Sequence, residues 1–244
     1  MAISIENKIA LVTGANRGIG KSIVESFIKH GAKKVYLAVR DTSSTSALEA
    51  AYGDKVVTVQ TDVSDASSVK KLAEVATDVE ILVNNAGVLV PSTPLSENAE
   101  AALAKELDVN VFGLLRITNA FADTLEKNQG ALVQLNSVAS IKNFSELSTY
   151  SASKAAAYSL TQGLRETLGK KGVSILSVHP GPIATDMAAQ AGFHEGESAS
   201  SVSEGIVQAL AAGEFHLFPD LMAKQFEAAY QSFSDNIVTA DLSE

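Results

Sequence analysis

The chain has no cysteine among its 244 residues, which excludes disulfides, a thiolate zinc site and a cysteine nucleophile. That absence does not itself assign a compartment. Basic side chains are also in deficit, with 19 Lys and Arg against 28 Asp and Glu and a net charge of -9. Such a balance argues against a nucleic-acid backbone or an anionic membrane surface as partner. No apolar run is long enough to span a bilayer. The opening "MAISIENKIALVTG" lacks the charged-then-apolar pattern of a secretory signal and runs directly into a β-branched segment. Cytoplasm is therefore the expected location by default. No internal repeat, low-complexity tract or linker interrupts the chain, so a single domain over residues 1–244 is expected.

What remains is ample material for a core: 46% of residues are apolar and only 19% charged. Short β-branched runs at 8–13, 34–39, 56–60, 81–83, 131–136, 173–178 and, more weakly, 214–218 read as strands. Most are apolar throughout, as strands covered on both faces should be. Helical periodicity falls between them, at 19–30, 43–51, 66–76, 97–104, 109–127, 149–170 and 202–212, with a last helix at 220–233. This alternation predicts an α/β doubly wound, Rossmann-like, mostly parallel seven-stranded sheet with helices on both faces. The segment 181–201, rich in Gly, Ala and Ser, reads as irregular. A loop of that length in a compact domain is usually functional.

Two short stretches carry chemistry. "TGANRGIG", Thr13 to Gly20, falls where the first strand hands over to the first helix. Glycines there allow a tight turn and close approach of a pyrophosphate, which the helix N-terminus favours. "TYSASKAAAYS", Thr149 to Ser159, places Tyr150 and Lys154 four apart, on one face of a helix. Taken alone, Tyr150 and Lys154 read as a packed aromatic and a solvated cation, whereas the glycine turn, placed after a strand and before a helix, already favours a phosphate over a ligand-free turn.

Taken together with "NNAG" at Asn84–Gly87, they resemble the short-chain dehydrogenase/reductase family, over nearly the whole stretch from Lys8 to about Thr185. The resemblance implies an Asn110–Ser137–Tyr150–Lys154 catalytic set. Tyr150 would pass a proton to or from the substrate oxygen. Its ordinary pKa near 10 is high for that task, and a nearby Lys154 ammonium is expected to lower it. Lys154 would also grip the nicotinamide ribose. Ser137 would donate to the substrate oxygen where charge develops, and Asn110 would hold a proton path behind Lys154. Cofactor contacts are implied for Gly14, Asn16, Arg17, Gly18, Ile19, Gly20, Asp62, Val63, Asn84, Ala86, Gly87, Tyr150 and Lys154. The stretch "HPGPIATDM" adds Pro180, Gly181, Ile183 and Thr185, while His179 reads as structural.

At the end of the second strand, Val39 stands where members using NAD carry an acid, and Arg40 where members using NADP carry a base. Arg40 and Arg17 predict NADP(H), because a guanidinium fork suits the 2′-phosphate. An Arg40–Asp41 pair with Asp41 supporting NAD(H) is the alternative. Asp62 could instead cap the next helix, a task open also to Asp65. Val88, Ala139, Phe144 and Met187, together with Leu89, Val90 and Phe193, are candidate substrate walls. They predict an apolar ketone, aldehyde or secondary alcohol, bound by a short substrate loop at about 186–200 that leaves the pocket open to a broad range. A hydroxysteroid-type or other NAD-dependent alcohol dehydrogenase is the nearest rival. A dinucleotide-binding regulator and a non-redox halohydrin dehalogenase are more remote, since the glycine turn, Tyr150 and Lys154 are all kept. The C-terminal stretch "FHLFPDLMAKQFEAAYQ" departs from acyl-carrier-protein reductases of the family. A homodimer or homotetramer is expected, and no metal site.

Overall fold

The computed structural model describes residues 1–193 and 195–240. Seven strands form one sheet in the order β3-β2-β1-β4-β5-β6-β7, and every pairing is parallel. They are β1 (Ile9–Thr13), β2 (Lys34–Val39), β3 (Val56–Gln60), β4 (Ile81–Asn84), β5 (Ala131–Leu135), β6 (Ser174–Val178) and β7 (His216–Leu217). β1, β4, β5 and β6 are buried at every position, which is why their sequences run apolar instead of alternating. β3 closes one edge and is half-exposed after Val56.

Helices cover both faces. α1 (Gly18–Lys29) and α8 (Ala199–Ala212) pack on one side, around Val12, Ile23, Phe27, Val133 and Ile206. α3 (Ala66–Val75), α5 (Gly113–Lys127) and α6 (Ser148–Gly169) cover the other, around Leu11, Leu72, Leu82, Phe121 and Leu132. α2 (Ser46–Tyr52) and α9 (Leu221–Phe233) complete the periphery. Strand order reverses between β1 and β4. Ligands of such sheets bind in the crevice at that point, beyond the carboxyl ends of the strands.

Three expectations are corrected. Helices at 97–104 and 109–127 were expected as two separate elements, with "KELD" between them. Instead α4 (Ala99–Leu107) runs into a π-helical turn (Asp108–Phe112) and on into α5 without a break. The polar stretch does not end the helix because Glu106 turns inward and is fully buried. The helix expected at 43–51 begins as a 3₁₀ turn (Thr42–Thr45), since Asp41 accepts the Ser43 N–H at 2.9 Å and tightens the first turn. The stretch expected to be irregular at 181–201 holds a short helix, α7 (Asp186–Gln190), whose start is capped by the Thr185 hydroxyl accepting the Ala188 N–H.

Candidate active site

The carboxyl ends of β1, β2, β3 and β4 open onto a cleft of about 380 Å³. Its floor is the β1–α1 turn. Gly14 and Gly18 sit at φ +64° and +52°, in the left-handed region where a side chain would be strained. The first turn of α1 carries no acidic residue, and Arg17 at its N-cap makes no side-chain capping bond. Its free N–H groups therefore face the cleft with the positive end of the helix dipole. Asn16, Arg17, Ile19 and Gly20 line this end. The turn is held from behind by Thr13 Oγ1, which accepts the N–H groups of Asn85 and Ala86, both at 3.0 Å.

Arg40, Asp62 and Val63 rim the far end. The Asp41 carboxylate is engaged by the Ser43 N–H and hydroxyl, which hold it below the usual carboxylate range. Among the described residues Arg40 makes no ion pair. Asp65, not Asp62, caps α3, by accepting the Ser67 N–H at 2.8 Å. Asp62 accepts from the Ser64 N–H and hydroxyl at the cleft wall. Arg17 meets Asp186 at 3.1 Å, both well exposed.

Asn84 lies elsewhere than expected. It is buried on β4 and donates through Nδ2 to Thr118 Oγ1 at 3.2 Å, behind the sheet. Its neighbour Asn85 faces the cleft and donates to the carbonyls of Thr13 (2.8 Å) and Gly14 (3.1 Å). Strand alternation is the reason, since successive side chains point to opposite faces. The doubled Asn of "NNAG" was the signal, but β4 is buried at every position, so the letters do not say which of the two faces the cleft.

Asn110, Ser137, Tyr150 and Lys154 are gathered from three elements. Asn110 projects from the π-helical turn, a feature frequent at functional sites. Its Oδ1 accepts the Val88 N–H at 2.9 Å, and its Nδ2 donates to the Val88 carbonyl and Ser153 Oγ, also at 2.9 Å. Ser137 follows β5, its hydroxyl donating to the Pro180 carbonyl at 3.3 Å and accepting the Ala139 N–H at 3.1 Å. Lys154 Nζ donates to the Leu135 carbonyl at 2.7 Å and stands 5.7 Å from the Tyr150 ring centroid.

The electrostatics reverse one expectation. Burial dominates Tyr150 and pushes its phenol up, with the Ser137 hydroxyl working the other way and the Glu106 charge adding to the rise. Lys154 does not pull the phenol down here. Its own burial lowers the ammonium to about 8, and its proton is directed at a backbone carbonyl. The phenol is thereby held protonated.

A second cavity, of about 140 Å³, opens beside Ser137 and Tyr150. Ala139, Phe144, Met187, Leu89 and Phe193 line it as anticipated, whereas Val88 faces the larger cleft and Val90 neither. Gly181 and Ile183 also face the smaller cavity, and Pro180 and Thr185 border both. Met222, from α9, is a wall that sequence reasoning missed, because nothing in local pattern brings a C-terminal helix to this edge. His179 is fully buried between Ser177 Oγ (2.8 Å) and Ser140 Oγ (3.1 Å). Burial drives it to about 3, so it is a neutral structural hydrogen-bonding group. Among the described residues no cluster of His, Asp and Glu could hold a metal ion, and no helix is long and apolar enough to cross a membrane.

Comparison with known proteins places this geometry. The profile described as "short chain dehydrogenase" matches residues 8–195. An uncharacterised oxidoreductase of Staphylococcus saprophyticus is 34% identical over 195 residues, covering 76% of this chain and 82% of its own. A short chain dehydrogenase from Burkholderia cenocepacia, solved in complex with NADP, is 31% identical and superposes with TM-score 0.87 over 98% of this chain and 100% of its own. A short chain dehydrogenase/reductase from Burkholderia phymatum, solved with NAD, is 25% identical, with TM-score 0.82 over 99% of this chain and 100% of its own.

Proposed function

The chain belongs to the short-chain dehydrogenase/reductase family and is an oxidoreductase of it; on that premise we propose that it interconverts apolar ketones or aldehydes and secondary alcohols with NADP(H), NAD(H) being the weaker cofactor. The observation that carries the reading is the convergence of Ser137, Tyr150 and Lys154 where the dinucleotide cleft meets an apolar cavity.

The residues present fit a dinucleotide. The open N-terminus of α1 suits its pyrophosphate, and Arg40, which makes no ion pair among the described residues, and the exposed Arg17, paired at the surface with Asp186, suit a 2′-phosphate. Asp41 gives only Oδ1 to Ser43 and still lines the cleft, which keeps NAD(H) as the weaker alternative. When bound, the nicotinamide supplies the hydride chemistry. The chain does the rest. Ser137 donates to the substrate oxygen as charge develops there. Tyr150 gives that oxygen its proton in reduction and takes it back in oxidation. Lys154, lowered to about 8, exchanges protons near neutral pH and holds the ribose. Asn110 fixes the Val88 backbone and the turn behind Lys154.

The chain is proposed to work in the cytoplasm, as a homodimer or homotetramer paired through α5 and α6, where Phe112 is half-exposed just before α5.

One experiment tests the reading: initial rates with NADPH and NADH over a panel of aryl alkyl ketones, for wild type, Tyr150→Phe and Arg40→Ala. Wild type should prefer NADPH. Tyr150→Phe should bind NADPH normally and lose about 10²–10⁴-fold in turnover, the usual worth of a positioned acid. Arg40→Ala should weaken NADPH about 10- to 100-fold, the loss of a charge-assisted bond of about 1.5–3 kcal/mol, and leave NADH unchanged. Wild-type rates in Tyr150→Phe would overturn the mechanism, and preference for NADH would overturn the cofactor assignment.

A further inference from the structure

We propose that α9 sets the substrate size the site accepts: Met222 is the cavity wall, and Asp220 latches that wall to the turn that also orients Ser137. The inference rests on the function proposed above and extends it to an element outside the catalytic set.

The latch is built from backbone bonds. Asp220 is 2% exposed. Its Oδ2 accepts the Gly181 N–H at 2.7 Å, and its Oδ1 accepts the Ala223 N–H at 3.0 Å as the N-cap of α9. One carboxylate thus ties the first turn of α9 to the Pro180–Gly181 turn. The contact is close, since a Cβ added at Gly181 would stand 2.6 Å from Asp220 Oδ1 and 3.2 Å from Met222 Cβ. Pro180 itself receives the Ser137 hydroxyl at 3.3 Å and the Val138 N–H at 3.0 Å. The position of α9 and the position of Ser137 are therefore referred to the same two residues.

The rest of α9 supports the same wall. Ala223 is fully buried against Val138 and Phe218, and Phe226 meets Phe144 with ring centroids 6.4 Å apart. Phe144 and Met222 both line the cavity, so α9 supplies one wall directly and backs another. The cavity's described lining contains no charged side chain; its polar groups are Asn136, Ser137, Tyr150 and Thr185. A carboxylate or phosphate on the substrate would be desolvated there without a partner, so the substituents accepted are neutral and apolar. A volume of about 140 Å³ makes a single wall side chain decisive.

The test is the ratio of kcat/KM for valerophenone to that for acetophenone. Met222→Ala should raise this ratio about tenfold, the lower end of what apolar pocket contacts discriminate. Leu221→Ala, at an exposed position on the same helix, should leave it unchanged. Asp220→Asn keeps one acceptor oxygen where two N–H groups point. It should raise KM for acetophenone several-fold with unaltered NADPH affinity. An unchanged ratio in Met222→Ala overturns the wall, and wild-type KM in Asp220→Asn overturns the latch. If wild type reduces neither ketone, the proposed function fails separately. Calorimetric affinities of the protein for 1-phenylethanol and 1-phenylpentanol then decide the wall, by the same expected tenfold change of ratio in Met222→Ala.

Discussion

Glu106 lies fully buried on α4, with Oε1 accepting the Val90 N–H at 2.8 Å. The Thr149 hydroxyl faces the carboxyl, yet neither Glu106 Oε2 nor Thr149 Oγ1 completes a hydrogen bond of normal geometry. Burial raises the carboxyl above the usual range, opposed by the Val90 N–H, Thr149 and the Lys105 ammonium. A raised carboxyl is a stability cost that is absent below its unfolded-state pKa, grows as pH rises from there to the folded-state value and is fully present above it. Glu106→Gln keeps an acceptor for Val90 and removes the charge. It should therefore be more stable than wild type at pH 8, by about 1 kcal/mol or roughly 2–4 °C in Tm, with the gap closing toward pH 4. Since the Glu106 charge also raises the Tyr150 phenol, the pH at which alcohol oxidation switches on should fall in the same variant. Lys154 and Ser137 are the other groups facing that phenol and are unchanged. Melting curves at the two pH values and a pH–rate profile check both statements; a destabilised variant with an unmoved profile would contradict them.

At the scale of elements, the π-helical turn between α4 and α5 is what brings Asn110 inward. A regular helix would rotate this side chain away, because one extra residue per turn shifts everything after it by about 100°. The turn is secured by the three bonds of Asn110 to Val88 and Ser153. Asn110→Ala strands the Val88 N–H and carbonyl in the interior. The expected cost is about 1–3 kcal/mol in urea denaturation, with a fall in kcat that exceeds any change in NADPH affinity. A variant with wild-type stability would mean that the turn holds without its side chain. The "VN" of this turn was legible in sequence as a site residue, but the π geometry was not. It depends on Glu106 and Asn110 both finding interior partners on segments distant in sequence. α7 escaped for a similar reason, since five residues capped by Thr185 are too few to show helical periodicity.

For the whole molecule, the proposed pairing through α5 and α6 would cover Phe112, which is 50% exposed just before α5, while Val111, Leu114 and Ala157 beneath it are already buried against Leu107 and Leu160. Light scattering should return two or four times the chain mass of 25.5 kDa. A particle of 25.5 kDa would refute the proposed pairing.

The sequence by itself determined the sheet and the glycine turn, while its resemblance to the family is what singled out Asn110, Ser137, Tyr150 and Lys154. Strand burial, turn chemistry and helical spacing are local properties, and each leaves its own period or punctuation in the letters. Tertiary structure alone decided which Asn of "NNAG" faces the cleft, that burial dominates the Tyr150 phenol, and that α9 walls the cavity beside Ser137 and Tyr150. Each of those depends on what a side chain meets from a distant segment. Desolvation, strand facing and a latch spanning Gly181 to Asp220 are made by the fold, and no local pattern encodes them.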